Sequence, residues 1–202
     1  MARREPPPGF AKAALDLTRI PTGQLFGRIY HQRFTDPLGY GKTRSRFSDP
    51  RRRTSENRFG VLYLGSSLKV CFLEALLRDE RDGLIGDYLV DEGELDTRRF
   101  AQIEIREELT LVDLTGDAPV RMGVPSDVPR SSKQALARRW SLAFYEHPAR
   151  VDGICYASRL NGEVNLAIYD RAVAKLAPRE TTALRAASGL ARVLNGLNVA
   201  LV

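Results

Sequence analysis

The sequence predicts an α+β domain, on three observations. Short alternating apolar runs and helical stripes follow one another in no repeating order, which points to mixed strands and helices. No internal repeat and no linker-like stretch divides the chain. Its 202 residues fit one large domain better than two. The expected organisation is a Pro-containing tail over 1–9 and a single domain over 10–202, built as a mixed β-sheet core with flanking helices.

A brief helix is expected around Phe10 to Leu17, then a strand over Gln24 to His31 with Arg28 inside it. Phe34 to Asn57 is rich in Gly, Pro, Ser and Arg and lacks periodicity, so it reads as a long loop, a place where function often resides. Gly60 to Leu64 forms the next strand. Ser66 or Ser67 can cap the following helix, because a serine hydroxyl accepts from the first unpaired helix amides. That helix should end near Arg81 to Gly83. Strands follow at Phe100 to Arg106 and Leu109 to Leu114, then a loop over Thr115 to Ser131. Leu136, Trp140 and Phe144 at helical spacing mark a helix from Ser132 to Glu146, ended by Pro148; its aromatic stripe reads as core packing. Asp152-Gly153 turns into a strand at Ile154 to Ala157, and Asn161-Gly162 is a hairpin signal before Val164 to Tyr169. Pro178 to Leu194 reads as a helix and Asn198 to Val202 as a last strand.

Composition removes several function classes. The hydrophobic fraction of 43% and charged fraction of 28% are ordinary for a soluble domain. No apolar run nears the roughly 18 residues of a membrane span, and MARREPPPGF lacks the apolar stretch of a secretory signal, so a cytoplasmic protein is expected. Cys71 and Cys155 lie among apolar residues without metal-ligand spacing and read as buried free thiols. With only His31 and His147, a histidine-rich metal site is not expected, and neither histidine lies near a nucleophile elbow. The net charge of +6 favours an anionic partner. Much of it is local: Arg44, Arg46, Arg51, Arg52, Arg53 and Arg58 fall in the 34–57 loop and at its edge.

The richest stretch is RFGVLYLGSSLKVCFLEALLRD, residues 58–79. Its helix is almost wholly apolar through Leu76 apart from Lys69 and Glu74. Val70 and Cys71 lie one turn before Glu74 and Leu77 one turn after, so the carboxylate sits on an apolar stripe. A carboxylate is rarely buried without a partner, so something must hold Glu74, and the chain offers arginines to do it.

Four stretches in order resemble the RES-domain family, named for characteristic arginine, glutamate and serine residues: GRIYHQRF at 27–34, SRFSDP at 45–50, FGVLYLGSSLKVCFLEALLRD at 59–79 and DGICYASRLNGEVNLAIYD at 152–170. The resemblance spans about 27 to 170. It implies a fold similar to the diphtheria-toxin-like ADP-ribosyltransferases and activity on NAD, which is substrate and not cofactor. Family members degrade NAD by hydrolysis or phosphorolysis, or transfer ADP-ribose to protein. Many are toxins whose active site an Xre-type antitoxin occludes. Any DNA contact would then belong to the antitoxin, and a homo-oligomer within the complex is compatible. Residue by residue, the family glutamate looks like Glu74, its tyrosine like Tyr63 and its serine like Ser158. Arg28 and Arg46 match arginine positions of its NAD site.

The implied chemistry suits these residue types. Cleaving the nicotinamide–ribose bond builds positive charge on the ribose, which a fixed carboxylate stabilises most in the transition state. Arg28, with Tyr63 and Glu74, is expected at the catalytic centre. Arg46 and Ser158 are expected to bind the substrate; a guanidinium offers a pyrophosphate two parallel donors. Tyr63 would stack on nicotinamide or hold the ribose. Absence of a Gly-x-Gly-x-x-Gly or GxxxxGK[ST] fingerprint fits NAD as a consumed substrate. A protein ADP-ribosyltransferase is the alternative, and a basic nucleic-acid-binding module a third reading, though the arginine-rich stretch lacks interleaved aromatics beyond Phe47.

Overall fold

The computed structural model describes residues 5–51, 54–78, 83 and 85–202. An eight-stranded sheet organises the chain. In spatial order it runs β1 (Leu17–Ile20), β6 (Leu109–Leu114), β7 (Gly153–Ala157), β8 (Val164–Tyr169), β3 (Val61–Gly65), β2 (Leu25–His31), β5 (Arg98–Ile105) and β9 (Leu176–Ala183). The β6–β7 pair is parallel and the other neighbours are antiparallel. A short parallel pair, β4 (Tyr88–Val90) with β10 (Val199–Leu201), forms a second sheet. The α+β class and the mixed sheet with flanking helices are as expected.

Each face of the sheet is covered because alternate side chains point to opposite faces. Helix α5 (Ala135–Tyr145) lays Ala137, Trp140 and Phe144 against Val61, Val112, Ile154, Ala167 and Tyr169. Leu62, Leu64, Leu111, Leu166, Ile168 and Ile103 pack on the opposite face. A third cluster joins Phe72, Leu73 and Leu77 to Val193 and Leu194 of helix α6 (Leu190–Gly196). Cys71 and Cys155 are buried free thiols.

Several local expectations fail for identifiable reasons. The helix over 10–17 shrinks to one 3₁₀ turn, Phe10–Lys12, and Leu17 opens β1 instead. Eight residues are too few to sustain an isolated helix, and Phe10 is held by an edge-on contact with Trp140 at 5.1 Å. The helix over 178–194 is also overturned. Leu176–Ala183 is the edge strand β9, pairing with β5 across a register shift that skips Arg179, between Pro178 and Glu180, and the helical residues that follow are a 3₁₀ turn, Leu184–Ala186, and Leu190–Gly196. A proline breaks a ladder but is tolerated at an edge, and the paired Thr181 and Thr182 suit a strand. The 115–131 loop contains two single helical turns, α3 (Ala118–Arg121) and α4 (Asp127–Arg130). Between 88 and 96 stand β4 and α2 (Glu92–Asp96), the latter capped by Asp91, which accepts from the Gly93 amide at 2.6 Å.

The arginine-dense segment is not one solvated basic loop. Arg46 is 8% exposed. Arg51 pairs with Asp49 and Glu146, at 2.5 and 2.9 Å. Arg44 is exposed. Arg52 and Arg53, the first residues of the tail and the expected helix end at Arg81 lie outside the described residues; Gly83 has φ 84°.

Candidate ligand cleft

The sheet splits in its middle. β2 pairs with β5 along its whole length, and β3 likewise with β8, but β2 and β3 meet at one position only, Gly27 opposite Gly65. Both glycines are required by what lies over them. A Cβ on Gly65 would stand 2.6 Å from Val70 Cγ1 and 2.8 Å from Cys71 Sγ; one on Gly27 would stand 2.7 Å from Phe100 Cε2 and 3.0 Å from Cys71 Sγ. Helix α1 (Leu68–Phe72) therefore lies directly on the seam.

Ser67 starts this helix, as one of the two expected caps. Its Oγ accepts from the Val70 amide at 3.1 Å and donates to Glu163 Oε2. After Phe72 the helix widens into a π turn, Leu73–Leu77, closed by the Arg78 amide donating to the Leu73 carbonyl at 2.6 Å. Arg78 has φ 26°, a strained value for a residue with a Cβ. Such π turns re-aim side chains and are frequent at functional sites. Glu74 lies in this turn and faces the split.

The donors holding Glu74 come from the β7–β8 hairpin. Glu74 Oε1 accepts from Ser158 Oγ at 2.7 Å and from Asn165 Nδ2 at 3.1 Å. The expected arginine partner is thus replaced by two neutral donors, and Glu74 makes no ion pair among the described residues. Neutral donors orient a carboxylate without neutralising it, so its charge remains available to a ligand.

A cleft of about 340 Å³ opens at the split. Arg28, Arg46, Tyr63 and Glu74 all line it, together with Arg78, Tyr156 and Asn165. Ser158 is not among the lining residues. It is 3% exposed and stands behind Glu74, with its Oγ also accepting from the Leu160 amide at 3.2 Å. Ser158 therefore positions the carboxylate, and a direct substrate contact by it has no support in this geometry.

Sequence reasoning passed over Tyr156 and Asn165. The signal was present in the strand period. Gly65 pairs with Asn165, and Asn165 with Tyr156, in one row across three strands. Tyr63 lies two residues before Gly65 and so shares that face, as Ser158 does with Tyr156.

The segment between β2 and β3 walls the far side. Arg28 Nη1 donates to the Pro37 carbonyl at 2.5 Å, and Gly41 bridges Val61. Tyr40 packs where Gly60 has no side chain; a Cβ there would stand 2.0 Å from the ring. Tyr63 ties the same segment down. Its hydroxyl accepts from the Phe47 amide and shares a hydrogen bond with Ser45 Oγ, both at 2.9 Å. Arg46 Nη1 donates to the Ser131 carbonyl at 2.6 Å.

Burial dominates the electrostatics. It lowers Arg28 to about 10, against partial compensation by Tyr30 and Asp36. It also lowers Arg46, with Tyr156, Glu74 and Tyr63 pulling the other way. The ordinary arginine value is so high that both remain cations near neutral pH. Burial raises Tyr63 and Tyr156, so both stay protonated. The cleft thus offers guanidinium donors, phenol hydroxyls and one oriented carboxylate. It suits a ligand with an anionic part for the arginines and a centre near Glu74 that gains positive charge. No cluster of three or more metal-ligating side chains occurs among the described residues.

Comparisons with known proteins agree with this layout. The chain is 40% identical over 100 residues to "Probable toxin y4kH" of Sinorhizobium fredii (strain NBRC 101917 / NGR234), an alignment covering 50% of this chain and 79% of that one. Its fold is similar to a chain in the crystal structure of the M. tuberculosis MbcT–MbcA toxin–antitoxin complex, with a TM-score of 0.60 and 18% identity over 81% of this chain and 85% of that chain. The model of the RES domain matches residues 17–187. The split sheet, the π turn and the cleft all fall within that span, and the chain belongs to the RES-domain family.

Proposed function

We propose that this chain is the toxin of a toxin–antitoxin pair and that it consumes NAD, breaking the bond between nicotinamide and ribose by hydrolysis or phosphorolysis. The observation that carries the reading is Glu74, held by Ser158 and Asn165 at the split and facing a cleft lined by Arg28 and Arg46. As the C–N bond breaks, nicotinamide leaves with the bonding electrons as a neutral molecule and the ribose becomes oxocarbenium-like. Glu74 stabilises that charge because it is fixed before the reaction and pays little reorganisation. Arg28 and Arg46 retain free N–H donors beyond those used on Pro37 and Ser131, and a pyrophosphate can take them. Tyr63 holds the wall of the cleft through Ser45 and Phe47 and presents its ring to the ligand.

The name of the Sinorhizobium relative and the toxin–antitoxin complex of the structural neighbour support the toxin half of the proposal. An Xre-type antitoxin that covers the cleft mouth is the proposed partner, with any DNA contact made through it, and the cytoplasm the proposed compartment. No described helix is long and apolar enough to cross a membrane.

The test is nicotinamide release from NAD by the purified chain, followed by chromatography with and without phosphate. ADP-ribose alone indicates hydrolysis, and a phosphorylated ADP-ribose formed only with phosphate indicates phosphorolysis. Label from NAD appearing on protein would move the activity to ADP-ribosyl transfer. No release and no labelling would sink the reading.

A further inference from the structure

Polar side chains at the cleft differ in how far they are satisfied within the protein. Tyr63 has its hydroxyl engaged by Ser45 and Phe47. Glu74 has Oε1 engaged by Ser158 and Asn165, while Oε2 has no hydrogen-bond partner among the described residues. Tyr156 is the outlier. It is 5% exposed, its ring packs edge-on against Phe47 at 5.0 Å, and it lines the cleft. Its hydroxyl has no partner among the described residues. A buried phenol normally finds one, since leaving a polar group dry and unpaired is costly. This hydroxyl instead opens onto the cleft, on the face it shares with Tyr63 and Asn165 and beside Glu74 and Arg46.

We propose that the Tyr156 hydroxyl is a direct ligand contact and that, with the open Oε2 of Glu74, it takes a sugar hydroxyl. The complementarity is specific. An ionised carboxylate only accepts, whereas a phenol also donates. A ligand hydroxyl can donate to Glu74 while accepting from Tyr156, satisfying all three groups at once. A phosphate does not match this pair, because its oxygens would face the carboxylate; a carboxamide, whose N–H donates and whose C=O accepts, is the competing occupant, and the nicotinamide arm of the test separates it from a sugar hydroxyl. This assignment rests on the NAD reading and deepens it: the carboxylate and Tyr156 together mark where the ribose lies, with the phosphates toward the arginines.

The variant that isolates the hydroxyl is Tyr156→Phe, which keeps the ring on Phe47. It is measured with NAD as substrate and with ADP-ribose and nicotinamide as separate inhibitors, beside a thermal melt. The expected result is a loss of at least about tenfold in kcat/KM and a comparable weakening of ADP-ribose, since a site built for a hydroxyl suffers when one partner goes. Nicotinamide, which carries no hydroxyl, should inhibit as before, and the melting temperature should stay within about 2 °C. Unchanged kinetics in a variant of an active wild type overturns the role of Tyr156 alone. Weaker nicotinamide with unchanged ADP-ribose overturns the sugar assignment. A melting temperature lowered by more than about 5 °C reveals a structural partner for the hydroxyl and overturns it too. A wild-type chain that neither releases nicotinamide nor binds ADP-ribose fails the NAD reading itself, and the assignment falls with it.

Discussion

Gly27 and Gly65 face each other at the one point where the two halves of the sheet still touch, and Cys71 sits over both. A Cβ on Gly65 would press directly on the helix that leads to Glu74, and one on Gly27 would press first on Phe100 and then on Cys71. Gly65→Ala should therefore destabilise the fold by about 1–3 kcal/mol, the usual cost of overpacking. Cys71→Ala in the same chain should recover part of that loss, because it withdraws one of the two atoms in the way. Urea midpoints for the two single variants and the double variant give the coupling. Strict additivity would mean that the helix does not rest on the seam.

Glu74 and Ser158 divide one task between them. Glu74→Ala should leave the fold intact and reduce NAD turnover by at least about tenfold, or ~1.4 kcal/mol of transition-state stabilisation. Ser158→Ala removes a donor and not the charge, so it should lower kcat by a smaller factor and move KM little. Steady-state kinetics with NAD check both. A Ser158→Ala variant that raises KM alone would restore serine as a direct substrate contact.

The two thiols give a prediction about pH. Burial raises Cys71 and Cys155 from the ordinary 9.0 to about 12. Below the unfolded value both states are protonated and the contribution is fully present. Between about 9 and 12 the unfolded chain loses protons that the folded chain keeps, so stability falls as pH rises through that window. Deprotonation of Arg28, lowered to about 10, acts in the opposite direction there, because the folded state gives up its buried charge first. A Cys71→Ala/Cys155→Ala chain should accordingly lose stability less steeply between pH 9 and 12. Native protein should also resist iodoacetamide at pH 9 and react once unfolded. Rapid native alkylation of either thiol would contradict its burial.

What the sequence made legible followed from local pattern. Short apolar runs gave β2, β3, β7 and β8, and Asn161-Gly162 gave the hairpin that joins β7 to β8, with Gly162 at φ 78°. Arg28, Arg46, Tyr63 and Glu74 were named from motifs, and all four line the cleft. What stayed hidden depends on pairing across long separations. Asn165 reaches Glu74 only because β8 aligns Asn165 with Gly65, beneath the helix. The search for an arginine beside Glu74 treated charge as the natural partner, yet a hairpin with a hydroxyl and an amide on the same face holds it at less desolvation cost. Edge strands β1 and β9 take their state from one neighbour each, so their own periodicity is weak. The π turn carries no composition signal in LEALL, and its buried Leu73 and Leu77 pack with α6, far along the chain.

The wall of the cleft has its own anchor in Asp49. Its carboxylate is almost wholly buried and receives Arg51 Nε at 2.9 Å, Arg51 Nη2 at 2.5 Å and the Phe59 amide at 3.2 Å. Burial alone would raise this carboxyl; the Arg51 side chain and the Arg51 and Phe59 amides outweigh it and hold Asp49 below the ordinary aspartate range. Asp49→Ala leaves Arg51 facing only Glu146 and the Phe59 amide unpaired, and should cost about 2–4 kcal/mol. The sign with pH follows from the lowered value. The contribution of Asp49 is present above the unfolded aspartate value and is lost as pH falls through the lower folded one. The stability gap between wild type and Asp49→Ala, from urea melts, should thus be constant near neutral pH and close below about pH 4. Because Asp49 lies two residues after Phe47, whose amide holds Tyr63, the variant should also weaken ADP-ribose binding at neutral pH. A gap that persists undiminished to pH 2 would show that the carboxylate is not the group bracing this wall.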